Sequence, residues 1–369
     1  MSLARTEGPS RRVALQRRVR DAGLDALIVT DPTAIHYLTG FSRDAFAIVL
    51  VSAEWACFVS VEGFSAEAEE IAAGWAPVLV GQGMWGRAMA MLQERLSPGA
   101  RIGFQSGQVT HALFTQIAGG LSALTPELVG ADAELDSLRA VKSPAEIALM
   151  RAAAVPLEAT FEWLYGQRLS QMTERQVAWA IERRLREHHG AEALAFETVV
   201  AFGPHSASAH HTASDAVIEP GGLVMVDAGC VVDGYRSDMT RTVAIGPPDA
   251  EAAELHAVVR RAQQHALQRL GPGVTGDVVH GAATAVIDAA GHAGRLPHGV
   301  GHGIGLELHE APFCDEGVPE TLVAGHVITV EPGVYLPGRH GVRIEDEVVI
   351  TGAGHERLTT LSSELVVCE

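Results

Sequence analysis

Between Val226 and Glu347 the chain sets one histidine and four carboxylates in five short contexts: VDAG at Asp227, RSDMTR at Asp238, GVGHGIG at His302, VEPG at Glu331 and RIEDE at Glu345. That combination of hard oxygen donors and a lone imidazole is a ligand set for two divalent cations. Four ionised carboxylates in one pocket would repel one another strongly at low dielectric, and some would be protonated unless cations lay between them. Convergence of these residues therefore implies metal.

Separate strands must bring them together. Asp227 and Asp238 bracket a segment in which Asp233-Gly234 is a hairpin-turn signal. A two-residue loop there sets position 229 opposite 238, and strand alternation then points Asp227 and Asp238 to one face as diagonal neighbours. Taken singly, Asp227 could equally end a strand and Asp238 lie on a solvated one. Glu331 closes the apolar run Val327 to Val330, where burying it is unfavourable without a cation or donor. The plainer alternative is an exposed strand end, with Pro332-Gly333 as the turn. Glu345 follows on a second strand, reached through a turn at Pro337-Gly338. Around His302, glycines at 299, 301, 303 and 305 suit a loop packed closely against a metal centre. The spacing is not G-x-G-x-x-G, because Ile304 or Leu306 takes the final position, and no H-E-x-x-H occurs. A further small-residue loop holds His205, His210 and His211, each able to move a proton or simply to be solvated.

The chain of 369 residues suits two domains. Its 27 basic and 45 acidic side chains leave a formal charge of −18, which disfavours nucleic acid or an anionic membrane face as the main partner. Four scattered cysteines without a C-x-x-C pair fit a reducing cytoplasm, and no run approaches the ~18 apolar residues that span a bilayer. The opening predicts a helix over 11–23, a strand over 25–30, a turn at Asp31-Pro32, a hairpin from 46–51 and 55–61, a helix over 86–96 and a strand over 101–104. Together these form a small α/β domain, 1–136. Beyond it, Ser143-Pro144 with Glu146 and Thr173 with Gln176 are capping-box starts of two helices, the second stopped by Gly190. Strands over 196–202, 222–229, 238–245, 326–331 and 342–351 then alternate with helices over 250–270 and 276–291. They make a larger α/β or α+β domain, 137–369.

In chain order, Ala201-Phe202-Gly203 with His210, VDAG, YRSDMTRT, HGVGHGIGLELHEAP, VEPGVY and GVRIEDEV resemble the pita-bread metallopeptidases, most closely the Xaa-Pro peptidases aminopeptidase P and prolidase. The match spans the chain from about residue 145 onward, and the Ile35–Phe41 stretch is similar to the N-terminal domain of the creatinase/prolidase group. The resemblance implies an α/β creatinase/prolidase-like N-terminal domain and an α+β pita-bread catalytic domain. It implies that Asp227, Asp238, His302, Glu331 and Glu345 ligate two divalent ions, with Asp238 and Glu345 bridging them. Mn²⁺ best suits so oxygen-rich a site, with Co²⁺, Fe²⁺ or Zn²⁺ as alternatives. Such a pair makes hydroxide available near neutral pH. Glu331 would take the water proton, His210 and His309 would bind the scissile carbonyl and its oxyanion, and Arg343 would orient Glu345 or contact substrate. The implied activity is a cytoplasmic, homodimeric aminopeptidase that removes the residue preceding proline from proline-containing peptides.

Two departures matter. Ala209 stands where many of these enzymes have proline, and His211 follows His210, so either histidine could be the acting one. Phe313 follows His309-Glu310-Ala311-Pro312 where some related dipeptidases carry an arginine that clamps a dipeptide carboxylate. This favours an aminopeptidase over an Xaa-Pro dipeptidase. The retained ligands weigh against a metal-free pita-bread hydrolase or binding module, and the N-terminal domain weighs against a methionine aminopeptidase.

Overall fold

The computed structural model describes residues 2–41 and 46–369. The chain forms two compact units, Met1–Arg139 and Ala140–Glu369.

The first unit is built on a six-stranded sheet, in the order Ala76–Val80, Ala56–Val61, Ala47–Val51, Ala26–Val29, Arg101–Phe104, Glu127–Gly130. Only Ala47–Val51 runs antiparallel to its neighbours. It forms the expected hairpin with Ala56–Val61. All four residues of Ala26–Val29 are buried, as in a strand covered on both faces. The first helix is Leu3–Asp21, eight residues longer at its start than the sequence pattern suggests, because Pro9 is accommodated inside it. Asp31-Pro32 is not an isolated turn: Asp31 caps the helix Pro32–Thr39 by accepting from the Thr33 and Ala34 amides, with Pro32 in the first turn.

The second unit repeats one arrangement twice, a pair of helices laid on a sheet that is antiparallel apart from the short edge strand Val367–Cys368, which pairs parallel with Met239–Ile245. In the first half, Pro144–Tyr165 and Glu174–His189 pack on the sheet Val367–Cys368, Met239–Ile245, Leu223–Ala228, Val199–Phe202. Both helices open with the predicted capping boxes. Leu157, Phe161, Val177 and Ile181 meet Val200, Val224, Val226 and Val243 in a closed core. In the second half, Ala250–Leu267 and Gly276–Ala289 pack on the sheet Glu310–Cys314, Gly301–Gly303, Val327–Val330, Asp346–Thr351, Gly354–Arg357. There Leu255, Val259, Val279 and Ile287 meet Ile328, Val330, Val348 and Ile350. Burial of each such side chain contributes about 1.5–3 kcal/mol. Two preformed cores can therefore offset the burial of charged groups where the sheets come together.

Among the described residues no helix is long and apolar enough to cross a membrane. The four cysteines are buried and unbridged.

Candidate active site

The hairpin register is the one expected from Asp233-Gly234. Val232 pairs with Tyr235 and Val231 with Arg236, and the same register continues below as Ala228 with Met239 and Asp227 with Thr240. Asp233 and Gly234 both have positive φ, 47° and 81°, as a tight two-residue turn requires. Asp227 and Asp238 thus lie diagonally on one face.

The second half presents its ligand candidates differently from expectation. The His302 segment is not a loop. Gly301–Gly303 is a short strand held between Glu310–Cys314 and Val327–Val330, where a methyl group on Gly301 would overlap the Thr329 carbonyl. The 342–351 run is not one strand but breaks between His340–Arg343 and Asp346–Thr351. Glu345 sits in that break, and Glu331 sits just past the end of Val327–Val330, so both carboxylates are freed from strand alternation to turn inward.

These residues converge at the base of a cavity of ≈ 450 Å³ lined by Asp227, Asp238, His302, Glu331 and Glu345, with His210, His298, His309 and Arg343 around them. One ligand atom each from Asp238, His302 and Glu345 lie within 4.8 Å of one another. The His302 Nδ1 faces the Gly303 carbonyl at 3.0 Å. A carbonyl only accepts, so Nδ1 carries the proton and Nε2 presents a lone pair. That lone pair faces Glu331 Oε1 at 3.3 Å and Asp238 Oδ2 at 3.9 Å. Burial lowers the His302 pKa, which keeps the ring neutral and able to bind a cation.

The carboxylates are strained electrostatically. Burial first, and then the neighbouring acids, push Asp238 and Glu345 well above the usual carboxylate range, and burial raises Glu331 as well. At 4 Å and an effective dielectric of about 20, each pair of like charges repels by about 4 kcal/mol. Asp227 Oδ1 and Asp238 Oδ1 are buried without a hydrogen-bond partner among the described residues. Lone pairs aimed at one space, with orphaned carboxylate oxygens around it, fit a bound divalent cation. Asp227, Asp238, His302, Glu331 and Glu345 are the residues that could hold it.

The supporting contacts are specific. Thr240 Oγ1 donates to Glu345 Oε2 at 2.7 Å, Thr329 Oγ1 donates to Glu331 Oε1 at 3.2 Å, and the Asp238 amide donates to Glu347 Oε1 at 2.7 Å. Arg343 is buried and spends its guanidinium on Asp227 Oδ2 (2.5 Å), Thr240 Oγ1 (3.0 Å), the Tyr335 hydroxyl (3.0 Å) and the Ala209 carbonyl (3.1 Å). It lines the cavity, but the ligand candidate it orients is Asp227 rather than Glu345. The Tyr335 hydroxyl reaches His298 Nε2 at 2.8 Å, which extends the network from Asp227 to a cavity-lining imidazole.

His210 and His211 part company. His211 Nε2 is 2.8 Å from the buried Glu174 carboxylate and its ring stacks on His205. His210 is exposed to the cavity and has no hydrogen-bond partner among the described residues. His309 faces the cavity edge-on to His302, ring centroids 4.4 Å apart, and burial lowers its pKa. Phe313 is 43% exposed and lines the same cavity.

Thr240, Thr329, Tyr335, His298 and Glu174 were missed as site residues. The two threonines carried a usable signal, since each is two positions from a ligand candidate. Glu174 acts through partners 28 to 40 residues away along the chain and carried none.

Residues 148–352 match metallopeptidase family M24, and residues 11–141 match the creatinase/prolidase N-terminal domain. The uncharacterized peptidase YqhT of Bacillus subtilis (strain 168) is 33% identical over 345 residues, 94% of this chain and 96% of the relative. Among solved structures, the Xaa-Pro dipeptidase from Bacillus anthracis has a TM-score of 0.91 at 29% identity, covering 98% of this chain and 99% of that one. The X-Pro aminopeptidase from Thermotoga maritima MSB8 has a TM-score of 0.85 at 32% identity, covering 95% and 99%.

Proposed function

The chain belongs to metallopeptidase family M24, and from that premise we propose that it hydrolyses the peptide bond before proline, releasing the N-terminal residue of peptides longer than two residues. The observation that carries the metal-dependent part is the set of buried Asp238, His302 and Glu345 with half-buried Asp227 and Glu331 around one space. Four carboxylates and one imidazole suit two ions, with Mn²⁺ the best match to so hard a donor set. When bound, divalent ions supply a Lewis acid that makes hydroxide available near neutral pH and polarises the scissile carbonyl.

The chain's own groups do the rest. Glu331 holds the proton of the attacking water at Oε2, the oxygen that Thr329 does not engage, and passes it to the leaving nitrogen. His309 and His210, both facing the cavity, donate to the carbonyl oxygen and to the oxyanion that replaces it. Arg343, bound to Asp227, holds a ligand in place and so acts as a positioning residue. A prolyl bond offers no amide N–H. A pocket that grips imide substrates by shape and by their carbonyl is therefore the chemically sensible arrangement.

Preference for length rests on the far wall. Phe313 offers no charge, and Arg343 spends four of its five N–H donors on protein groups, which leaves no pair of them for a substrate carboxylate. A dipeptide's free carboxylate therefore finds no bidentate partner among these cavity residues. The Xaa-Pro dipeptidase reading remains the second one, favoured by the name of the Bacillus anthracis neighbour.

Steady-state rates on Ala-Pro, Ala-Pro-Ala and Met-Ala-Ser, with added Mn²⁺ or Co²⁺ and with chelator, test both. Expected is metal-dependent release of alanine from Ala-Pro-Ala, faster than from Ala-Pro. Cleavage of Ala-Pro alone would replace the aminopeptidase reading with the dipeptidase one. Cleavage of Met-Ala-Ser alone would overturn both.

A further inference from the structure

A second cluster lies beside the cavity and is not used by the chemistry above. Glu174, fully buried in the first turn of the helix Glu174–His189, receives the Phe202 amide (2.8 Å) and His205 Nδ1 (2.8 Å) on Oε1. On Oε2 it receives His211 Nε2 (2.8 Å), the Ser214 amide (3.0 Å) and Ser214 Oγ (2.6 Å). One ligand atom from each of Glu174, His205 and His211 falls within 4.8 Å of the others. We propose that Glu174, His205 and His211 form a site for a borderline transition-metal ion such as Zn²⁺, distinct from the acidic centre, that staples the His210-bearing loop to the start of this helix.

Three considerations support it. The carboxylate is over-subscribed: an ionised carboxylate offers about four lone-pair positions, and Oε2 alone meets three donors here. Exchanging the two imidazole protons for one shared cation relieves that crowding and leaves the Phe202 and Ser214 bonds intact. The exchange also balances. A ring carrying one proton moves it from the nitrogen facing Glu174 to its other nitrogen, so no proton is lost, and the side chain of His205 is 43% exposed, which gives an ion a way in. Finally, the geometry is close to that required. Zinc bonds of about 2.1 Å in a tetrahedron separate ligand atoms by about 3.4 Å; each imidazole nitrogen now lies 2.8 Å from its own carboxylate oxygen, and one ligand atom from each residue lies within 4.8 Å of the others. Glu174 is held ionised, since its hydrogen bonds overcome the effect of burial and lower its pKa to about 2.

Two imidazoles and one carboxylate select Zn²⁺, Co²⁺, Ni²⁺ or Cu²⁺ over the harder Mn²⁺ and Mg²⁺. His211 adjoins His210, and Ala209 is tied to Arg343, so an ion here fixes both ends of the segment that presents His210 to the cavity.

Electron paramagnetic resonance with Cu²⁺ as the probe distinguishes the two centres, because the acidic one has a single imidazole and this one has two. The full chain, first saturated with Mn²⁺, should bind a Cu²⁺ equivalent coupled to two nitrogens. His205→Ala should reduce that coupling to one nitrogen and weaken the equivalent by at least about tenfold. Asp238→Ala should leave the two-nitrogen signal in place, so failure of the acidic centre and failure of this site are told apart. A one-nitrogen signal alone in the parent protein, or a two-nitrogen signal unchanged in His205→Ala and in His205→Ala/His211→Ala, would overturn the proposal and leave the cluster a hydrogen-bonded clamp.

Discussion

Asp238 meets Glu345, Asp227 and Glu331 across a buried space, and the cavity-lining guanidinium of Arg343 is already committed to Asp227. Removing a charge there should act in opposite directions with and without metal. In chelator, Asp238→Asn is expected to melt at a higher temperature than the parent protein, because a repulsive charge is gone. With Mn²⁺ added it should gain little in Tm, since a ligand is also gone, and turnover should fall by more than about a hundredfold. Thermal melts and metal content measured on the two proteins check both halves of this statement. Arg343→Met should cost about 2–4 kcal/mol of stability in urea unfolding of the chelated protein, the penalty for leaving the half-buried Asp227 carboxylate without its partner. At the opposite wall, Phe313→Arg is expected to raise kcat/KM on Ala-Pro relative to Ala-Pro-Ala by about tenfold, the worth of one charge-assisted contact to a carboxylate. An unchanged ratio would show that residue 313 does not meet the substrate's far end. Glu331 stood out by residue type, because a carboxylate closing an apolar run needs a reason to be there, whereas Asp227, Asp238, His302 and Glu345 were candidates as a set, with their ligand roles implied by the family resemblance.

Strands and turns decide whether those residues meet. Gly301 lets its strand lie against Thr329, and Gly301→Ala is expected to displace His302 and lower metal affinity by at least about tenfold while leaving helical content unchanged. Metal titration alongside circular dichroism would show it. The Asp233-Gly234 register could be worked out in advance because a two-residue turn and a period of two leave no freedom. Other elements resisted. Pro9 sits inside the helix Leu3–Asp21, and a proline normally signals a boundary, so the pattern reads as starting later. Asp31-Pro32 carries the same residues whether it makes a turn or caps a helix. The break that turns Glu345 inward arises because His340–Arg343 pairs with Gly333–Leu336 in one sheet and Asp346–Thr351 with Val327–Val330 in another, of which the local run Val342 to Thr351 bears no trace. Glu174 was illegible as a site residue for the same reason: its partners are 28 to 40 residues away along the chain.

Taken whole, the catalytic unit stores acid sensitivity outside its cleft. His256 on Ala250–Leu267 is 4% exposed, and burial, reinforced by Arg260 and Arg241, lowers its pKa to about 4. The unfolded chain takes up that proton near its ordinary value of about 6.5, whereas the folded chain does not until about 4. Stability is therefore complete above the unfolded pKa and is lost as pH falls through this window, by about 3 kcal/mol at pH 4. His256→Leu should flatten the fall in unfolding free energy between pH 7 and pH 4, as followed by urea titration. The doubled helix-pair-on-sheet plan has a consequence of another kind. Asp227 and Asp238 belong to one repeat and His302, Glu331 and Glu345 to the other, so a bound ion is a clasp across the seam between them. A protein nicked in the connection at Gly246–Pro247 should keep its two pieces together more tightly in manganese than in chelator, and grip on the ion becomes a gauge of how well the repeats are seated.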